Sequence, residues 1–213
     1  MPVQPAVVVL AAGRSSRFGA GHHKLAQALG ESTVLARTLA CAIATGLRTV
    51  VVTTARFVDV ARSSVAARDV VVLPEVDDDG GKLLGMGASI AAGVAASFDA
   101  DGWLVLPGDM PLVQPATLVA VARELERHAV AFAQYRGRRG HPVGFAAELY
   151  PELTALVGDE GARRIIARYP AGAVELDDPG ILVDIDTEDD LAALRRAGLA
   201  APGGAAASVR APL

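Results

Sequence analysis

Ala6-Val7-Val8-Val9-Leu10-Ala11-Ala12-Gly13-Arg14-Ser15-Ser16-Arg17-Phe18-Gly19 is an apolar run that stops at small residues, then supplies cations and leads on to Lys24. The segment 6–10 shows no polar alternation, which predicts a strand buried on both faces, as in a parallel sheet. Glycine lets the backbone approach an anion closely, and successive N–H groups can converge on it. Arg17 and Lys24 add full charges where the N–H groups add partial ones. The stretch therefore reads as a strand delivering a phosphate loop. It is not the dinucleotide fingerprint, because Gly13 is followed by Arg14 and Ser15 and the G-x-G-x-x-G spacing is missing. Nor is it a P-loop, because Lys24 follows His22-His23 and precedes Leu25. A plain strand-to-helix connection stays open on these residues alone.

Outward from this segment, valine- and leucine-rich runs recur at 49–53, 70–73 and 103–106. Helical stretches at 33–44, 58–66 and 88–97 alternate with them. Repeated βα order predicts an open, doubly wound sheet with right-handed connections. The second half is less regular. A helix is expected over 114–128, with Pro115 in its first turn and Leu118, Ala122 and Leu125 on one face. A strand follows at 129–135, then a turn over 136–140 and an extended segment at 142–145. Helices are expected near 147–156 and 160–168, and strands near 173–176 and 181–185. Thr187 caps a last helix whose first turn holds Glu188, Asp189 and Asp190 and whose last turn holds Arg195 and Arg196. Residues 1–199 are read as one domain and 200–213 as a frayed tail.

The 213 residues can bury a substantial core. The net charge of −4, without a Lys/Arg block, argues against a nucleic-acid partner. The one cysteine, Cys41, excludes an intramolecular disulfide and reads as a small buried position. No apolar run reaches membrane-spanning length, and a soluble cytoplasmic protein is expected.

A second chemical signal is Leu104-Val105-Leu106-Pro107-Gly108-Asp109-Met110-Pro111, where a strand ends and delivers Asp109. Ligands of open α/β sheets bind beyond the carboxyl ends of strands, so Asp109 and the first loop can meet there. Mg2+ takes one or two carboxylates plus substrate oxygens, which suits Asp109, although Asp beside Gly and Pro also favours a plain turn. Asp184 and Asp186 share a face if their segment is a strand; both reach a metal in that case, and Asp186 is the preferred ligand. The run Asp77-Asp78-Asp79 reads as a solvated loop. Gly85-Met86-Gly87-Ala88-Ser89 opens a helix with small residues, either for a base or ribose to approach or for close helix packing. Arg138-Arg139-Gly140-His141-Pro142 can clamp an anion or form a surface turn. In Gly158-Asp159-Glu160-Gly161-Ala162-Arg163, Asp159 reads as a helix cap, with phosphate binding at the helix start as the alternative.

Taken in order, these six segments resemble the nucleotidyltransferases of molybdenum cofactor maturation, and most of all the molybdenum cofactor cytidylyltransferases. The resemblance spans about residues 7–194. It implies a Rossmann-like three-layer α/β nucleotidyltransferase fold with a mostly parallel central sheet, and CMP transfer from CTP to the terminal phosphate of a molybdopterin-type cofactor with release of pyrophosphate. CTP is implied because Leu-Ala-Ala-Gly marks the cytidine enzymes, where the guanine enzymes tend to show Leu-Ala-Gly-Gly. It assigns Arg17 and Lys24 to the triphosphate, Asp109 and Asp186 to Mg2+, and Ser89 to the nucleoside. Leu10, Ala11, Ala12, Gly13, Arg14, Gly85, Pro107 and Gly108 complete the nucleotide side. Arg139, His141, Pro142, Asp159, Gly161, Arg163 and Asp184 fall on the acceptor side. A molybdoenzyme or its maturation chaperone is the implied recipient. Phe18 stands where the family commonly has methionine, Glu188 where it has proline, and Gly21-His22-His23 looks like an addition before Lys24. Competing readings are GTP as donor, a sugar or polyol phosphate as acceptor, a non-catalytic cofactor carrier and, least well supported, a dehydrogenase.

Overall fold

The computed structural model describes residues 3–13, 15, 18, 23–75 and 85–198. Arg14 and Arg17, the acidic run 77–79 and the tail 200–213 lie outside them. The buried run at the start forms β1 (Ala6–Ala11), and the next three apolar runs form β4 (Thr49–Thr54), β5 (Val70–Leu73) and β6 (Gly102–Pro107). These four strands are mutually parallel in the order β5-β4-β1-β6. Beyond β6 the sheet continues through β8 (Arg138–Ala146), β7 (Val130–Tyr135) and β9 (Ala171–Glu175), giving seven strands. β8 runs antiparallel to both β6 and β7, while β7 and β9 pair in parallel. The sheet is thus mixed but mostly parallel.

Alternation along β1 explains the three layers. Val7 and Val9 face one core with Leu35 and Leu39 of α1 (Val34–Ala44), Leu118 and Val121 of α4 (Pro115–Glu124) and Leu191 of α7 (Glu188–Arg196). Ala6 and Val8 face the other core with Ile90 and Val94 of α3 (Met86–Ala96), Leu153 of α5 (Tyr150–Thr154) and Ile165 of α6 (Arg163–Arg168). Each face of a strand without polar residues thus meets its own helical layer. On α3, a Cβ at Gly93 would lie 2.3 Å from Val8 Cγ1, so the helix seats directly on β1.

The chain winds from β1 outward to β4 and β5, then returns to the other side of β1 as β6. That reversal opens a crevice at the carboxyl ends of β1 and β6, where ligands bind in such sheets. Among the described residues no helix is long and apolar enough to cross a membrane.

Four local expectations are corrected. The turn after β7 is only Arg136-Gly137: both have positive φ (50° and 75°), and Tyr135 pairs with Arg138 across a two-residue hairpin. The Glu175 carboxylate steadies it by accepting from the Arg136 and Gly137 N–H groups. Residues 181–185 are not a strand, because Pro179–Leu182 form a 3-10 turn and the following residues are irregular. Asp159 does not cap a helix, since α6 starts at Arg163 with Ala162 before it. The short hairpin of β2 (Ala28–Leu29) and β3 (Ser32–Thr33) was not anticipated. The last helix does carry its cap: Thr187 and Asp190 form a reciprocal capping box.

Asp178 fixes the 3-10 turn in place. It is buried, and its carboxylate accepts from the Gln114 N–H (3.0 Å), the Thr117 hydroxyl (2.6 Å) and the Gly180 N–H (3.0 Å). Asp178→Ala strands these donors, and hydrogen bonds to a charged group are individually among the stronger ones. The expected cost is about 3 kcal/mol of unfolding free energy, read by urea titration.

Candidate active site

Three side chains from distant parts of the chain converge at the β1/β6 crevice. Lys24 Nζ lies 2.5 Å from Asp109 Oδ2 and 2.6 Å from Asp186 Oδ1. Their side chains are 14 %, 14 % and 23 % exposed, so the cluster is largely shielded from water yet open to the cleft.

Local structure places each one. β6 ends at Pro107, and the Gly108 N–H donates to the Leu10 carbonyl (2.8 Å) while its own carbonyl accepts from the Thr38 hydroxyl (3.0 Å). A Cβ at Gly108 would sit 2.9 Å from that Leu10 oxygen, so glycine is what lets the chain stay against β1 and present Asp109 beyond it. Asp186 is held from two sides. The Ile185 N–H donates to the Asp109 carbonyl (3.1 Å), and the Asp186 N–H donates to Asp190 of the capping box (3.1 Å). Lys24 opens a 3-10 turn, Lys24–Ala26, anchored by the buried Leu25.

Burial alone would lower the Lys24 pKa, but the Asp109 and Asp186 carboxylates outweigh it and push it above the ordinary lysine value. Asp109 Oδ1 is buried and has no hydrogen-bond partner among the described residues. A carboxylate oxygen left in that state fits a hard cation that supplies its missing partner. No group of three or more His, Cys, Asp or Glu that could hold a metal occurs among the described residues. The protein thus offers two carboxylates, the number Mg2+ takes when substrate phosphates and water complete its shell.

The cluster lies in a cleft of about 700 Å³. Of the residues expected on the nucleotide side, Leu10, Ala12, Gly13, Gly85, Ser89 and Pro107 line it. Ala11 instead packs in the core, and Gly108 is spent on the β1 contact just described. Gly85 and Gly87 also have packing tasks. A Cβ at Gly85 would meet the Gly158 carbonyl at 2.4 Å, one at Gly87 would meet the Val157 oxygen at 2.8 Å, and the Gly87 N–H donates to Gly158. The loop after α5 docks on the start of α3 through these glycines.

Of the residues expected on the acceptor side, Arg139, His141, Asp159 and Asp184 line the cleft. Arg139 stacks over the Phe132 ring, 4.3 Å from its centre, and makes no ion pair among the described residues. Burial lowers its pKa, yet a guanidinium keeps its charge in proteins and can meet an anion. Burial also lowers the His141 pKa, against the Val105 carbonyl and Asp109, which raise it. Its Nδ1 is buried without a partner. Pro142, Gly161 and Arg163 do not line the cleft: Pro142 is buried, Gly161 rests on Met86 and Arg163 is exposed on α6. Two contributors were not anticipated from sequence, His23 before Lys24 and Asp178 beneath the 3-10 turn. Both act through backbone or through residues distant in sequence, which local pattern does not show.

The match to known proteins follows this geometry. Residues 7–174 fit the model of the MobA-like NTP transferase domain. The chain belongs to that family. It is 33% identical over 207 residues to the purine catabolism protein PucB of Bacillus subtilis, covering 89% of this chain and 95% of that one. It is 30% identical to a phosphoenolpyruvate guanylyltransferase of Mycobacterium leprae, over 76% of this chain and 73% of that one. Among solved structures, Rv0371c of Mycobacterium tuberculosis superposes with a TM-score of 0.74 at 30% identity, covering 91% of this chain and 98% of that one. The same protein has been crystallised in complex with manganese. A nucleotidyltransferase of MobA-like type, with its three-layer α/β fold, is therefore what this sequence encodes.

Proposed function

We propose that this nucleotidyltransferase transfers CMP from CTP to the terminal phosphate of a molybdopterin-type cofactor, with Mg2+ held by Asp109 and Asp186. The Lys24–Asp109–Asp186 cluster carries the reading, because it puts a cation beside two carboxylates, a set that suits a divalent ion, where β6 ends. Leu10-Ala11-Ala12-Gly13, in the form of the cytidine enzymes, supports CTP.

A phosphate monoester has a second pKa of about 6, so the acceptor is largely dianionic at neutral pH. Its oxygen forms a bond to the α-phosphorus as the bond to the bridging β-oxygen breaks, and the electron pair leaves with pyrophosphate. No proton has to be removed, so no general base is required. The obstacle is an anion approaching a polyanion. The bound metal ion supplies charge neutralisation and alignment of the phosphate oxygens. Lys24 and the N–H groups of the first loop bind the triphosphate, and Arg139 receives the acceptor's anionic end. Arg17 is assigned to the same triphosphate.

Incubating the protein with each nucleoside triphosphate and purified molybdopterin cofactor, then weighing the products by mass spectrometry, tests the proposal. A cytidine dinucleotide of the cofactor is expected. A guanosine product would move the donor to GTP, a reading favoured by the name of the Mycobacterium leprae relative. Cofactor binding with no product from any nucleotide would make the protein a carrier.

A further inference from the structure

We propose that His23 is a positioning residue that joins the Gly13 carbonyl to the Lys24–Ala26 turn and so fixes Lys24, working only as the neutral Nε2–H tautomer. The inference rests on the reading of residues 10–24 as the triphosphate-binding loop.

Three contacts define the clasp. His23 Nε2 lies 2.9 Å from the Gly13 carbonyl oxygen, which can only accept, so Nε2 must carry the proton. The Leu25 N–H, which can only donate, lies 3.3 Å from Nδ1, so Nδ1 must present its lone pair. That second bond is the N-cap of the Lys24–Ala26 turn. The Ser15 hydroxyl lies beside the ring edge between the two nitrogens, 3.1 Å from Nδ1 and 3.2 Å from Nε2. Ser15 has a left-handed backbone (φ 51°), uncommon outside glycine. Phe57 meets the ring edge-on, with centroids 4.6 Å apart.

One imidazole thus ties the end of β1 to the residue that carries the reacting charge. His23 bonds at once to the Gly13 carbonyl and to the Leu25 N–H, which follows Lys24 in its turn. Burial holds the ring below its ordinary pKa, and Arg56 and Lys24 reinforce that direction, while the Gly13 carbonyl and Glu75 oppose it. A proton added at Nδ1 would remove the cap of the lysine turn. The residue before Lys24 is therefore chosen for a donor on one edge and an acceptor on the other.

Three substitutions divide the roles. His23→Gln can keep the donor that reaches Gly13, His23→Asn can keep the acceptor that caps Leu25, and His23→Ala keeps neither. Loss of both bonds is expected to raise the Kd and KM for the nucleoside triphosphate about tenfold in His23→Ala with kcat changed less. The glutamine and asparagine variants are each expected to recover part of that loss. Long-range 1H–15N NMR of the free wild-type protein is expected to show His23 neutral at pH 7 with the proton on Nε2. An Nδ1–H or doubly protonated ring would overturn the proposal. So would an unchanged nucleotide Kd in a folded His23→Ala protein, or three variants that lower thermal stability alike and leave Kd alone. The NMR readout needs no nucleotide, so it judges the clasp even if wild-type protein binds no triphosphate, an outcome that would defeat the nucleotide reading instead.

Discussion

Asp109→Ala is expected to lower metal-dependent pyrophosphate release by at least about 1,000-fold while leaving the unfolding transition near that of the wild type. The large effect comes from charge. Attack by a phosphate dianion on a triphosphate is opposed by Coulomb repulsion, which a water-excluding cleft screens poorly. Asp109 is the more buried of the two carboxylates and holds the oxygen with no partner. The small effect on folding comes from how the residue is anchored. The local structure relies on the Gly108 backbone bonds and on the Asp109 carbonyl, which accepts from Ile185, and alanine keeps all of these. Lys24 retains Asp186 as its partner. Pyrophosphate release and thermal unfolding, measured on the same preparation, check both halves. Full activity would remove Asp109 from the metal site.

The second large effect concerns Lys24. In the free protein its ammonium lies between the two carboxylates assigned to the metal. It supplies there the positive charge that a divalent ion would supply, so the ion and the lysine compete for the same oxygens. Nucleotide phosphates give the lysine another partner, which makes metal and nucleotide binding mutually reinforcing in the wild type. Lys24→Met keeps an unbranched stem and removes the charge. It is expected to weaken nucleotide binding about 100-fold and, in the opposite direction, to tighten Mn2+ binding to the nucleotide-free protein about tenfold. Calorimetric titration of each ligand alone checks the two signs separately. Equal Mn2+ affinity in wild type and variant would show that the lysine does not contest the metal position.

Much of this was legible in the sequence, for identifiable reasons. β1 was readable because Val7-Val8-Val9 has to be covered on both faces, and each face does meet a helical layer. The last helix was readable because Thr187 and Asp190 act within one turn of each other. The segment 181–185 misled because its apolar residues pack without a strand partner. Gly180 presses on the Leu112 carbonyl, where a Cβ would lie 2.2 Å away, and buried Asp178 holds the turn, both long-range facts that local pattern does not contain. Asp184 and Asp186 still reach the cleft, but through the Ile185–Asp109 bond rather than strand alternation. The small residues 85–87 carried two meanings, and packing against the 157–159 loop accounts for both glycines. His23 was not legible as a site residue. Its actual partners, a carbonyl and an N–H of the backbone, leave no trace in side-chain composition.

The central claim is that residues from the start, middle and end of the chain share one cation position beside bound triphosphate. A crystal grown with CTP and Mn2+, with the manganese located by its anomalous scattering, tests it most directly. One Mn2+ coordinated by both Asp109 and Asp186 and by the triphosphate, with Lys24 Nζ moved from the carboxylates to a phosphate oxygen, is the predicted result. Manganese bound elsewhere, or Lys24 still lodged between the two aspartates with nucleotide in the cleft, would contradict it.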